Sequence, residues 1–146
     1  MALHDTAAQI PKHDMLVVLG DLNAKIGMDN KGFEEIMGGE GCGNRNENGD
    51  LFLDFCHANS LVIGGNIFPH DEIHKVTWIS PTGFTKNQID HTIITRRFIR
   101  AVEDVGAYRS ADIGSEHELV MAKIRLRLCR QITGQAGIEK QISAAC

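Results

Sequence analysis

The chain has 146 residues, 42% apolar and 23% charged, the size and balance of one folded domain rather than a fibre or a disordered segment. Its longest apolar run, Met15 to Leu19, is far short of the ~20 residues a membrane span needs. The formal charge of −4 hides an asymmetry: residues 1–73 carry 4 basic and 12 acidic side chains (−8), residues 74–146 carry 11 and 7 (+4). One half then suits cations and the other phosphates, or the two are simply differently solvated surfaces.

The first ten residues, MALHDTAAQI, have no basic stretch followed by an apolar core, so no secretory signal is expected. Residues 2–10 suit a short helix ended by Pro11. Met15 to Leu19 (MLVVL) reads as a buried strand that stops at a tight turn, Gly20-Asp21. Residues 27–49, with seven glycines and many Asn, Asp and Glu, read as loop. Leu51, Phe52, Phe55 and Ala58 recur at helical spacing and predict an amphipathic helix over 50–59, followed by a short strand at Leu61–Ile63. Further strands are predicted at 75–80, 88–95 and 120–128. In the last of these Val120, Ala122, Ile124, Leu126 and Leu128 share one face, and Lys123, Arg125 and Arg127 the other. Strands interrupted by one or two helices predict an α+β layer, and residues 129–146 an irregular tail. Cysteines at 42, 56, 129 and 146 show neither a CxxC pair nor disulfide-scaffold density, so an intracellular compartment, nuclear or cytoplasmic, is expected.

Polar residues gather where the apolar strands end. Asp21 and Asn23 follow the first strand, Asp90 lies within a strand, and Glu116-His117 precede the last one. Singly, a carboxylate at a strand end is more often a turn former or helix cap. Together they supply what metal-assisted phosphoryl chemistry needs: hard oxygen ligands for Mg²⁺, a carboxylate to align water, and a His and an Asn to meet charge on phosphate oxygens.

The order GDLN (Gly20–Asn23), TW (Thr77–Trp78), NQIDH (Asn87–His91) and GSEH (Gly114–His117) resembles the endonuclease/exonuclease/phosphatase superfamily. Its signatures are Gly-Asp-Phe-Asn, Ile-Asp-Tyr and Ser-Asp-His, in that order. Intervening text such as NRNENGDLFLDFC and KVTWISPTGFTKNQIDHTII is similar to one branch: the endonuclease domains of non-LTR retrotransposons and the craniofacial development protein 2 group. The likeness runs from about residue 8 to residue 128.

The resemblance implies a four-layer α/β/β/α sandwich (DNase I-like). Residues 1–128 would correspond to its C-terminal half, since the 19 residues before Gly20 lack the upstream motifs that complete the site. It implies Mg²⁺- or Mn²⁺-dependent phosphodiester hydrolysis by an endonuclease acting on DNA. Asp21 would align the attacking water and Asn23 would bond a phosphate oxygen. Asp90 would orient His117, and His117 would stabilise the transition state. Asp21 and Glu116 would hold the metal. Three residues depart from the signatures: Leu22 for Phe, His91 for Tyr, and Glu116 for Asp. The last moves a carboxylate by ~1 Å or more, a displacement worth ~100-fold in rate.

Arg96, Arg97 and Arg109, with Lys75, Arg100, Arg125 and Arg127, are candidate phosphate contacts, although scattered solvated cations are the commoner case. Trp78 is the aromatic candidate for DNA contact, with packing beneath the site strands as its alternative. A rival to the enzyme is a non-catalytic remnant that binds nucleic acid or protein. A half-fold would also bare the apolar face of Val120, Ile124 and Leu126 and favour self-association. His70 and His74 (HDEIH) have zinc-helix spacing, but Asp71 stands where the zinc motif has Glu, and Pro69 opposes a helix. GGEGCGNRNENG fails the G-x-G-x-x-G pattern and reads as a surface loop.

Overall fold

The structure is a computed structural model that describes residues 2–108, 115–127 and 143–145. Its centre is β1 (Leu16–Asp21), flanked by β5 (Asp90–Thr95) antiparallel and β8 (Ser143–Ala145) parallel, with β2 (Leu61–Ile63) antiparallel on the far side of β5. Alternation divides β1 and β5 between two cores. Leu16, Val18 and Ile93 face a cluster with Phe52, Leu53 and Cys56, while Val17 and Ile94 face Val102 and Val105. A sheet buried on both faces needs unbroken apolar strands, which is why MLVVL shows no polar alternation.

The first face is covered by α1 (Ala2–Gln9) and α2 (Glu47–Ala58). α2 starts three residues before the predicted position because Asn46 caps it, accepting the Gly49 N–H at 2.8 Å and the Lys25 N–H at 3.0 Å. Gly49 is required there: a Cβ would collide with the Lys25 carbonyl oxygen. The second face is covered by an antiparallel ribbon of β6 (Val102–Tyr108) and β7 (Leu119–Ile124). The fold is thus mixed α/β, with mainly antiparallel pairing and few helices. Among the described residues it makes three layers: helices, sheet and ribbon.

Several expectations change. β1 continues through Gly20 and Asp21, because β5 pairs with it as far as Asp90 opposite Asp21. The strand expected over 75–80 is only β3 (Trp78–Ile79), paired with β4 (Lys86–Asn87). β6 was not anticipated. Within the expected tail, residues 143–145 form a strand; the rest of it, and Leu128, lie outside the described residues. Val120 and Ile124 are half-buried against the second core rather than bare, whereas Leu119, Met121 and Leu126 are exposed. HDEIH forms a 3-10 turn, Glu72–His74, not an α-helix. There His70 donates to Asp104 at 2.6 Å and His74 to the Ala107 carbonyl at 2.9 Å. Among the described residues no helix is long and apolar enough to cross a membrane.

Candidate functional site

At the end of β1 the chain leaves the sheet through a tight bend. Asn23 adopts φ 48°, a left-handed conformation that Asn tolerates, and its N–H donates to Asp21 Oδ1 at 2.9 Å. Beyond it Ala24 and Ile26 are buried, which anchors the exit. The bend leaves the Asp21 carboxylate exposed at the sheet rim beside Asp90, its cross-strand neighbour on β5.

His117 reaches the same rim by a separate route. β3 pairs with β4 on one edge and with the segment before β7 on the other. Ile79 N–H donates to Glu116 O at 3.1 Å, Glu118 N–H donates to Thr77 O at 2.7 Å, and Trp78 stands opposite His117. The imidazole Nδ1–H then donates to Asp90 Oδ2 at 2.9 Å, and Nε2 lies 3.7 Å from Asp21 Oδ2. Asp21, Asp90 and His117 can present ligand atoms all within 4.8 Å of one another. The hydrogen bond to Asp90, with the field of Asp90, Asp21 and Glu116, raises the His117 pKa above its ordinary 6.5 against a smaller opposing effect of burial. The imidazole is therefore held as a cation further into the neutral range, with Asp90 fixing its orientation.

Asn23 is exposed one residue beyond Leu22, and its carbonyl accepts a bond from Asn48 at 3.2 Å. The Glu116 carboxylate points elsewhere and accepts a hydrogen bond from the Trp78 indole at 3.2 Å. That same bond occupies Trp78, which is half-buried. Arg96 and Arg97 lie in a 3-10 turn after β5, at the opposite end of that strand from Asp90, about 20 Å away by strand rise. There Arg96 pairs with Glu35 at 2.9 Å, and Arg97 lies over the Phe98 ring and bonds His13. Arg109 lies outside the described residues.

His91, which takes the place of the expected Tyr, serves the core instead. It is buried, donates from Nε2 to the Ala24 carbonyl at 2.6 Å and packs against Phe52. Burial lowers its pKa and keeps it neutral. Two residues escaped the sequence reading. Thr77 is buried beside the site, and its signal was only its place before Trp78. Phe84, in the turn between β3 and β4, is 93% exposed; an aromatic after Pro81-Thr82-Gly83 was the available hint.

No protein-family profile matches the chain. It is 41% identical over 118 residues to craniofacial development protein 2 of Tragulus javanicus, and 40% identical over 118 residues to that of Bos taurus. The matched region is 81% of this chain but 20% of each relative, so the chain spans about a fifth of the length of the curated relatives it matches.

Proposed function

We propose that the chain carries the His–Asp part of a divalent-cation-dependent phosphodiesterase of the endonuclease/exonuclease/phosphatase superfamily, built on its four-layer fold. The substrate we assign is DNA and the origin a retrotransposon endonuclease. The observation that carries this reading is the convergence of Asp21, Asp90 and His117 from three separate segments onto one rim.

Each residue has a role its surroundings support. Asp90, half-buried and bonded to Nδ1, holds the ring so that Nε2 faces Asp21 and any bound phosphate. The cationic ring donates to a phosphate oxygen as negative charge develops, and such preorganised donors are worth ~2.7–4 kcal/mol each. Asp21 has an exposed carboxylate for a water, and Asn23 offers an amide to a non-bridging oxygen. The donor set suits Mg²⁺ or Mn²⁺, because Mg²⁺ is commonly held by one or two carboxylates with waters completing its shell. Asp21 would hold the ion, joined by Glu116 when that carboxylate leaves Trp78. Bound there, the ion would act as a Lewis acid toward the phosphoryl oxygen.

The bond that holds Glu116 on Trp78 favours a second reading, a non-catalytic module that binds nucleic acid or protein. A nicking assay on supercoiled plasmid separates the two. Cleavage with Mg²⁺ that disappears with EDTA and in Asp21→Ala supports the hydrolase. Salt-sensitive binding with no nicking supports the module.

A further inference from the structure

We infer that Thr77 is the positioning residue that sets Asp90 and His117 against each other, a role that rests on the hydrolase reading above. Thr77 is 3% exposed and touches neither the proposed metal position nor solvent. Its hydroxyl oxygen accepts two backbone bonds, from Ile89 N–H at 3.0 Å and Asp90 N–H at 3.1 Å. The need for them follows from the sheet. The pairing of β2 with β5 stops at Ile63 opposite Ile93, while on the other edge Leu22 N–H bonds the Ile89 carbonyl. The start of β5 thus has β1 on one edge and, in place of a strand on the other, one side-chain oxygen.

The backbone of the same residue serves His117. The Thr77 carbonyl accepts the Glu118 N–H at 2.7 Å, one residue past His117, and its N–H donates to Asn87 O at 2.9 Å. Thr77 therefore fixes the segments on both sides of the His–Asp hydrogen bond. A valine has the same shape without the acceptor and would leave two buried N–H groups unpaired, a loss that displaces the Asp90 backbone. A serine keeps the acceptor.

The test compares Thr77→Val and Thr77→Ser with the unaltered chain. Its readouts are nicking kinetics and the low-field proton resonance of the His117 Nδ1–H, which needs no turnover. Thr77→Val should lose the low-field signal and lower kcat by about 10- to 100-fold with KM unchanged, as expected for a misplacement near 1 Å. Thr77→Ser should keep the signal and most of the rate. A Val variant that keeps both signal and rate, or a Ser variant that loses as much as Val, overturns the role of Thr77 and leaves the hydrolase reading standing. A low-field signal in a chain that never nicks DNA removes the hydrolase reading, while the signal in the two variants still decides the geometry. Should Thr77→Val fail to fold, hydrogen exchange on the unaltered chain decides: Ile89 and Asp90 amides that exchange freely overturn the proposal.

Discussion

Two histidines of this chain respond to acid in opposite directions. The folded state raises the pKa of His117, chiefly through its bond to Asp90, so it stabilises the fold fully below the ordinary value of 6.5 and loses that contribution as pH rises through the folded value. The group is over a third exposed, and solvent screening keeps its effect small. Replacing Asp90 with Asn should drop the His117 pKa toward 6.5, read by NMR titration of the ring; an unchanged value would contradict the dyad. Burial lowers the pKa of His91, so its stabilisation is present above 6.5 and is lost as pH falls below it. Denaturant unfolding between pH 7 and 5 should show stability falling by at most about 1.4 kcal/mol per pH unit from this one group. His91→Gln, which keeps an N–H for the Ala24 carbonyl, should flatten that slope.

At the scale of elements, what the sequence revealed depended on whether periodicity survived local irregularity. β2 and the start of β1 were legible because double burial leaves plain apolar runs. β6 was not, because a register shift between Val102 and Asp104 breaks the period of two and sets its first buried residues, Val102 and Val105, three apart. Asp21, Asp90 and His117 could be picked out because each sits in an ordered motif. The attachment of Glu116 to Trp78 and the clamp made by Thr77 could not, since each joins residues distant in the chain through a single side-chain atom. The start of α2 was missed for the same kind of reason: Asn46 caps the helix and also bonds Lys25, twenty-one residues earlier. Asn46→Ala should cost ~1–2 kcal/mol in denaturant unfolding, the upper range for a lost cap because two bonds go together. The β3–β4 turn yields a prediction about binding. Phe84→Ala should leave the melting temperature unchanged and weaken single-stranded DNA binding by ~1–3 kcal/mol if the ring stacks on a base; equal affinity in the two proteins would remove Phe84 from the interface.

For the whole molecule, the charge asymmetry of the sequence is partly consumed by folding. Arg96 from the basic half pairs with Glu35 from the acidic half, and Lys75 pairs with Glu40. Exposed pairs of this kind are worth ~0–1 kcal/mol, so they say more about how the halves face each other than about stability. Cohesion comes from β1 and β5, which feed both cores: Val18 and Ile93 on one face, Val17 and Ile94 on the other. A core that shares its strands with another is expected to melt with it, and the site rests on both. Asp21 and Asp90 end the shared strands, while His117 leads into β7 on the ribbon. The single tryptophan, Trp78, stands opposite His117 and bonds Glu116, so its fluorescence reports the ribbon-side half of the site. Urea unfolding followed by Trp78 emission and by far-UV circular dichroism should give one coincident transition, the mark of a single cooperative unit. An emission change that precedes the loss of secondary structure would mean that the segment carrying His117 detaches first, and that the His–Asp pair forms only after the sheet and its helices are in place.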